Sequence, residues 1–222
     1  MGAEKIQIIE GRALPLRGDD IDTDRIMPAR FLKSITFEGL EEHVFEDDRL
    51  ALKRSGQAHP FDDSDSSGGV RLSYTGGKFE LTRASILLVN KNFGTGSSRE
   101  HAPQGLRGWG IRAIIGESFA EIFFGNSVMI GLLCVTAAPK DIQFLMRLVE
   151  EDPSNEFRID LETRTCRGEA GLVIPISLPD HVRDSLMTGA WDTTGLLLDR
   201  YEQVNAVSAR LPYLGGFSSS PR

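Results

Sequence analysis

The sequence predicts an α/β fold with a parallel sheet at its centre. Between residues 85 and 150, short apolar runs alternate with longer amphipathic segments in the order β-α-β-α-β-α. A helix that connects two neighbouring strands brings the second strand back parallel to the first. Further on, residues 155–177 alternate polar and apolar side chains, as half-buried antiparallel strands do. We therefore expect a buried parallel core followed by antiparallel strands.

The chain before residue 85 is expected to contribute strands, one helix and a long loop. Residues 5–16 have the pattern of a strand, a turn and a second strand. Residues 36–56 fit a short amphipathic helix. Residues 56–69 are polar and turn-rich, which indicates a loop that is long for a compact domain. The helix is inferred from apolar residues at Phe37, Leu40, Val44 and Phe45.

The alternating region has start and stop signals that set approximate bounds. Proline in a first turn and glycine after a last turn mark the ends of helices. The expected strands are 85–89, 111–116 and 132–136, and the expected helices are 97–110, 117–131 and 139–152. Residues 179–207 then supply one or two further helices. We expect one domain over residues 1–210 and a flexible tail over residues 211–222.

Composition and charge exclude several classes of protein. The chain has 222 residues, of which 40% are hydrophobic and 26% charged, as in ordinary globular proteins. The net charge of −7 argues against nucleic acid as a partner, since that partner requires a basic face. No apolar run approaches the roughly 20 residues of a membrane span, and the N-terminus lacks the apolar stretch of a signal peptide. A cytoplasmic protein without a membrane partner is expected.

The cysteines and histidines do not form a metal-binding pattern. Cys134 lies in an apolar run and is expected in the core, whereas Cys166 has more polar neighbours. The two are too far apart in sequence for a Cys-x-x-Cys pair, and the four histidines are scattered. We therefore expect this chain to bind no metal and no cofactor by itself.

The stretch NKNFGTGSSREHAP, residues 90–103, directly follows the expected buried strand 85–89. Its glycines allow a sharp turn and a close approach of the backbone to a ligand. Ser97 or Ser98 is expected to cap the following helix. The first-turn N–H groups and the Arg99 guanidinium would then favour a carboxylate. A tight turn that only starts a helix explains the same residues equally well.

The same stretch does not fit the common phosphate and acyl-transfer motifs. It lacks the Gly-Lys-Ser/Thr ending of a P-loop and the third glycine of the dinucleotide fingerprint. It also lacks the Gly-x-Ser-x-Gly of a hydrolase nucleophile. A serine among positive charge and N–H groups can instead act as a base, because that setting stabilises its alkoxide.

Three segments together carry a resemblance to a known family. These are NFGTGSSREHAPQGLRGWGIRAIIGESFAEIFFGNSVMIGLL, DIDTDRIMPARFL near the N-terminus and TGAWDTTGLLLDRYEQV near the C-terminus. They resemble the small subunits of 3-isopropylmalate dehydratase, in the aconitase superfamily, from about residue 10 to residue 205. The Gly-Ser-Ser-Arg-Glu-His string together with Asp-Thr-Asp is highly specific for that superfamily.

The resemblance implies a swivelling β/β/α domain that docks on a separate large subunit. That subunit would carry a 4Fe-4S cluster whose open iron binds the substrate hydroxyl. The substrate would be a small hydroxy-acid dicarboxylate, and the reaction would interconvert 2-isopropylmalate and 3-isopropylmalate by removing and re-adding water, in leucine biosynthesis. The small subunit would be active only with its large subunit.

The resemblance also implies roles for single residues. Ser97 matches the base that takes a proton from the substrate carbon, and Ser98 and Arg99 match residues that bind a substrate carboxylate. Asp24 matches an aspartate near the edge of the active site, although a turn cap explains it equally well. Arg30 matches a further carboxylate-binding residue, and the alternative is its neighbour Lys33.

Other residues leave the roles and the substrate open. His101 is expected to brace the start of the helix. Thr95 stands where these subunits usually have cysteine, and Gln104 where a large residue is usual. Related hydro-lyases that act on homocitrate, methylmalate, citraconate or dimethylmaleate are therefore alternatives. A non-catalytic anion-binding module is an alternative of a different class.

Overall fold

The computed structural model describes residues 4–34, 36–62, 70–75, 78–97, 99–211 and 213–214. Within them, a seven-stranded sheet has the order β6-β5-β4-β1-β7-β8-β9, and β2 and β3 form a separate hairpin. The strands are β1 (Ile8–Leu16), β2 (Val70–Thr75), β3 (Lys78–Arg83), β4 (Ile86–Val89), β5 (Ala113–Gly116), β6 (Leu133–Thr136), β7 (Glu156–Asp160), β8 (Thr165–Arg167) and β9 (Val173–Pro175). None of the helices in the described residues is long and apolar enough to cross a membrane.

The helices cover both faces of this sheet and form a C-terminal extension. They are α1 (Thr23–Ile26), α2 (Glu46–Arg54), α3 (His101–Trp109), α4 (Glu121–Met129), α5 (Pro139–Glu151), α6 (Asp180–Thr188), α7 (Thr193–Asp199) and α8 (Tyr201–Ser208). Short 3₁₀ turns lie at Ala29–Lys33, Leu40–His43 and Glu169–Gly171.

The parallel core predicted for residues 85–150 is confirmed. Strands β1, β4, β5 and β6 pair in parallel, and α3, α4 and α5 follow β4, β5 and β6. Alternate residues of β4 enter two separate cores. Leu87 and Val89 pack with α3 and α4 on one face, whereas Ile86 and Leu88 pack with α5 on the other. Burial of both faces explains why this strand is apolar throughout.

The first predicted element was wrong in one respect, because residues 8–16 form one continuous strand without a turn. The first half of β1 pairs antiparallel with β7, and the second half pairs parallel with β4. Gly11, inside this strand, has φ 147° and lies where a Cβ would overlap the Ser85 side chain. This glycine therefore allows the Ser85 side chain to approach the backbone of β1 closely.

The helix predicted over residues 36–56 begins later than its apolar residues indicated. Leu40 lies in a 3₁₀ turn, Phe45 adopts a left-handed conformation with φ 53°, and α2 starts at Glu46. Leu40, Val44 and Phe45 are buried, so these apolar residues fill the core from an irregular segment. Of the loop predicted at residues 56–69, positions 63–69 lie outside the described residues. Phe61 before them is completely buried.

The antiparallel strands predicted downstream are confirmed as β7, β8 and β9, which pair in sequence order. Residues 179–207 form three helices, α6, α7 and α8, where one or two were predicted. Positions 215–222 lie outside the described residues, so the single domain over residues 1–210 and the flexible tail stay predictions.

Two glycines provide a matched test of how tightly the loop after β4 packs. Gly94 has φ 80°, and a Cβ there would overlap the Phe123 ring, whereas a Cβ at Gly125 in α4 would meet open space. We expect Gly94→Ala to lower the free energy of unfolding by at least about 2 kcal/mol, because strain and overlap add. Gly125→Ala should raise the same free energy by about 0.5–1 kcal/mol, because alanine favours helix.

Urea unfolding followed by circular dichroism measures both changes. If Gly94→Ala proved as stable as the parent protein, the close packing of this loop on α4 would be wrong.

Candidate functional site

The candidate site lies where the loops after β1 and β4 meet. The two strands are parallel neighbours, so their carboxyl ends lie at the same edge of the sheet. Beyond that edge the chains continue to pair, since Gly94 N donates to Ile21 O at 2.8 Å and Thr23 N donates to Thr95 O at 2.8 Å. An isolated parallel bridge joins Asp22 to Thr95. This pairing brings the Asp-Thr-Asp motif beside the Gly-Ser-Ser-Arg string.

Thr23 is the residue that holds Ser97 in place. Its side-chain oxygen accepts a hydrogen bond from Ser97 N at 3.0 Å and lies 3.4 Å from Ser97 O, to which its hydroxyl can donate. Thr23 is only 5% exposed. Gly96 has φ 100°, and a Cβ there would lie 3.4 Å from the Thr23 hydroxyl oxygen. A glycine therefore allows the chain to turn around this threonine.

Three of the four aspartates near the N-terminus accept hydrogen bonds that hold the surrounding loops and helix α1, and the fourth is exposed. Asp19 and Asp20 accept hydrogen bonds from residues 91 and 92 of the loop after β4. Asp22 caps α1, since its carboxylate accepts from Arg25 N at 2.7 Å. Asp24 instead points to Arg99, with 3.4 Å between the guanidinium Nη1 and the carboxylate Oδ1. Capping a turn was the alternative role considered for Asp24, and in the structure Asp22 has that role.

Arg99 is held only loosely by its acidic neighbour. Its side chain is 41% exposed and that of Asp24 is 60% exposed. An ion pair this exposed contributes at most about 1 kcal/mol, so an incoming carboxylate can compete with Asp24 for the guanidinium. The backbone N–H of Arg99 donates to Ser97 O at 2.9 Å, which keeps the two residues in one tight segment.

Ser97 is partly buried, and no side chain in the described part of the chain hydrogen-bonds its hydroxyl. Ser98, predicted to bind a carboxylate, lies outside the described residues. The prediction that Ser97 caps the following helix was wrong. Helix α3 begins only at His101, with Glu100 in the N-cap position and without a side-chain cap. The sequence therefore placed the helix N-terminus too early, and Ser97 lies in the extended loop that precedes it.

Arg30, the further predicted carboxylate ligand, forms ion pairs with carboxylates of this chain, although its side chain is 47% exposed. Its guanidinium pairs with Glu46 and with Asp47, the latter at 2.8 Å, and it lies 4.8 Å from the Phe31 ring centroid. The hydrogen bonds that its guanidinium donates to Asp47 and Glu46 hold the pKa of Arg30 above its usual value. A substrate role for Arg30 requires these pairs to open and stays a prediction. Lys33 lies exposed at the end of the same 3₁₀ turn.

His101 lies at the start of α3, as a bracing residue should. Its ring meets the Phe37 ring edge-to-face at 5.2 Å between centroids. Both ring nitrogens are enclosed, and neither has a hydrogen-bond partner among the described residues. The contact with Phe37 joins α3 to the segment before the 3₁₀ turn Leu40–His43.

The two positions that depart from the family pattern fit this arrangement. Thr95 forms the parallel bridge through its backbone, so its side chain does not decide the pairing. Gln104 is partly exposed on α3. Next to it, a Cβ at Gly105 would overlap the Met27 methyl group and lie 3.1 Å from Val44. A residue without a side chain at this position lets α3 pack closely on these neighbours.

The donor atoms of this chain do not suit an iron-sulfur cluster. Among the described residues, no group of three or more His, Cys, Asp or Glu side chains could hold a metal ion. Cys134 and Cys166 are buried, and burial raises the pKa of each thiol to about 12. Cys134 and Cys166 lie in two separate hydrophobic cores, so the two thiols are not positioned to share an iron atom.

Fold and site together define a class of protein. It is an α/β domain that presents a serine and an arginine at the carboxyl edge of a parallel sheet. The family model described as the aconitase C-terminal domain matches residues 3–140.

Curated relatives extend this match over nearly the whole chain. A 3-isopropylmalate dehydratase small subunit from Thermus thermophilus is 46% identical over 95% of this chain and 96% of its own. The subunit with the same name from Synechocystis sp. has the same identity and coverage. The chain therefore belongs to the family of 3-isopropylmalate dehydratase small subunits.

A solved structure agrees with this assignment at the level of the fold. The crystal structure of 3-isopropylmalate dehydratase from Methanocaldococcus jannaschii aligns with a TM-score of 0.59 at 23% identity, covering 90% of this chain and 99% of that one. The expected swivel-domain fold of the aconitase superfamily is thereby confirmed.

The bond between Thr23 and Ser97 can be tested without changing the shape of either residue. Thr23→Val removes the hydroxyl and leaves the Ser97 N–H without its acceptor, which costs about 1–3 kcal/mol when such a group is buried. We expect a lower free energy of unfolding and slower turnover, because the Ser97 backbone loses its anchor. Thr23→Ser keeps the hydroxyl and should restore most of both quantities.

Urea unfolding and turnover with the large subunit measure the two effects. If the valine variant matched the parent protein in both, Thr23 would not position Ser97.

Proposed function

We propose that this chain is the small subunit of a 3-isopropylmalate dehydratase, which interconverts 2-isopropylmalate and 3-isopropylmalate by dehydration and rehydration. The observation that carries this proposal is the match at 46% identity, over 95% of the chain, to small subunits with that name. The enzyme is a hydro-lyase, and it works in the cytoplasm as part of leucine biosynthesis.

The residues of the loop after β4 would do the work of this subunit. Ser97 takes the proton from the substrate carbon and returns a proton in the rehydration step. Ser98 and Arg99 bind a substrate carboxylate. Asp24 orients the Arg99 guanidinium until that carboxylate replaces it, which the exposed pair at 3.4 Å supports. Arg30 or Lys33 is the further carboxylate ligand.

The large subunit supplies what this chain lacks. Its 4Fe-4S cluster is the proposed cofactor of the enzyme, because the buried cysteines of the small subunit are unsuited to hold it. Ser97 therefore acts on a substrate held at the boundary between two polypeptides. The proposed role of this chain is to place the base and the carboxylate-binding groups opposite the partner's substrate site.

Reconstitution with the large subunit tests the function and the base together. We expect the purified chain alone to hold no iron and to show no turnover of 2-isopropylmalate. The reconstituted pair should hold iron and turn over 2-isopropylmalate. In the pair, Ser97→Ala should lower kcat by roughly 10²–10⁴, the usual contribution of a positioned base. Thermal unfolding of the variant is the control for its fold. Stoichiometric iron and activity in the lone chain would contradict the two-subunit proposal, and full activity of Ser97→Ala would contradict the base.

Arg99→Lys tests the carboxylate ligand, because lysine keeps the charge and loses the planar fork of the guanidinium. A charge-assisted contact with two hydrogen bonds contributes about 1.5–3 kcal/mol, and each 1.4 kcal/mol is about tenfold. We expect kcat/KM on 2-isopropylmalate to fall by at least about tenfold. If Arg99 merely paired with Asp24, lysine would cost under about 1 kcal/mol and full activity would remain.

Asp24→Asn is the matched control for this variant. It breaks the same ion pair from the other side but leaves the guanidinium intact. A loss in Arg99→Lys without an equal loss in Asp24→Asn assigns the effect to the substrate and not to the pair.

A further inference from the structure

Helix α4 has an unusual composition for a helix at the surface. Its sequence EIFFGNSVM contains one charged residue, Glu121, whereas 26% of the whole chain is charged. Ile122 is 53% exposed and Met129 is 61% exposed. They are seven positions apart and therefore lie on one side of the helix. A helix that is apolar on its outer side as well as its inner side is normally covered by another element.

A groove lies at the start of α4, on another side of the helix. It has a volume of about 510 Å³, and Phe119, Phe124 and Leu178 supply its apolar walls. Phe119 precedes α4, Phe124 belongs to it, and Leu178 precedes α6. We call this groove and the outer side of α4, with Ile122 and Met129, the α4 surface.

The groove and the start of α4 adjoin the candidate site. Phe93 N donates to Ser118 O at 3.1 Å, and Ala120 N donates to Phe93 O at 3.0 Å, so the start of α4 is hydrogen-bonded to the loop that carries Ser97. The Phe123 ring lies against Gly94. Gly94 and Ser97 are three positions apart in the chain and therefore within about 10 Å of each other.

We propose that the α4 surface is the docking surface for the large subunit, and that its groove receives an apolar side chain of that subunit. This inference rests on the proposed function. A partner that brings a substrate to Ser97 must approach the carboxyl edge of the parallel sheet. At that edge it meets the loop after β4 and the start of α4 together, because backbone hydrogen bonds join them. The partner expected there is an apolar patch with few charges, since the α4 surface offers only Glu121 for an ion pair.

A second apolar surface exists on α7 and α8, which follow a tryptophan at the amino edge of the parallel strands. Leu197 is 60% exposed and Leu198 is 66% exposed. Trp191, just before α7, stacks on Arg107 near the end of α3, 5.6 Å from its guanidinium carbon. Since α3 begins beside the Ser97 loop and runs away from it, its last turn marks the amino edge of the parallel strands. A partner centred on Ser97 therefore covers α4 before it reaches α7.

The experiment measures the affinity of the full chain for its purified large subunit by isothermal titration calorimetry. Ile122→Ser and Met129→Ser are combined in one chain, and Leu197→Ser and Leu198→Ser in a second, as a control of similar exposure. Thermal unfolding verifies that both chains fold. We expect the α4 double variant to raise Kd by at least about tenfold, because central apolar contacts dominate the affinity of most interfaces. The α7 double variant should change Kd less than about twofold.

The outcomes separate this inference from the function on which it rests. Binding and turnover by the parent pair establish the function first. If the parent pair is active and the α4 double variant binds with unchanged Kd, the docking surface is wrong and the function stands. A loss of affinity confined to the α7 double variant would likewise overturn the inference and assign docking to the C-terminal helices. If the parent chain neither binds nor becomes active, the function itself fails.

Discussion

The site depends on backbone pairing that continues past the end of the sheet. Two parallel strands normally separate where their loops begin. Here the loops stay paired, because Ile21 is hydrogen-bonded to Gly94 and Thr23 to Thr95. One step further along the loop, the Thr23 hydroxyl oxygen accepts a hydrogen bond from the backbone N–H of Ser97. A loop held by backbone bonds along its length loses little further entropy when a ligand binds. This is how a serine in an irregular segment can be positioned as rigidly as one in a strand.

Each arginine of the predicted site is paired with at least one carboxylate before substrate arrives. Arg99 faces Asp24, and Arg30 faces Glu46 and Asp47. The two pairings differ in their consequences. A single exposed carboxylate is a weak competitor for Arg99, whereas two carboxylates surround Arg30. An incoming anion would have to displace one carboxylate to reach Arg99 and two to reach Arg30, although both guanidinium groups are partly exposed.

The periodic part of the fold could be predicted from the sequence, because buried parallel strands and amphipathic helices have characteristic patterns of apolar residues. The errors arose where a tertiary contact overrides the local signal. Gly11 looks like a turn, but it is a glycine because Ser85 packs against its backbone. The start of α3 was placed at a serine that looks like a cap, but that segment is held by Thr23. A serine before a helix does not reveal whether its backbone pairs with a strand far away in sequence.

Site residues followed the same rule. Ser97 and Arg99 were singled out because small residues and a guanidinium after a buried strand favour an anion, and their roles stay predictions. Thr23 was visible only as part of a motif, because its role is a contact across 74 positions of sequence. The cysteines are a simpler case. Both are in the core with raised pKa values, where they pack as small apolar residues. The apolar run around Cys134 predicted this burial, whereas the polar neighbours of Cys166 did not, because its burial depends on the strands that pair with β8.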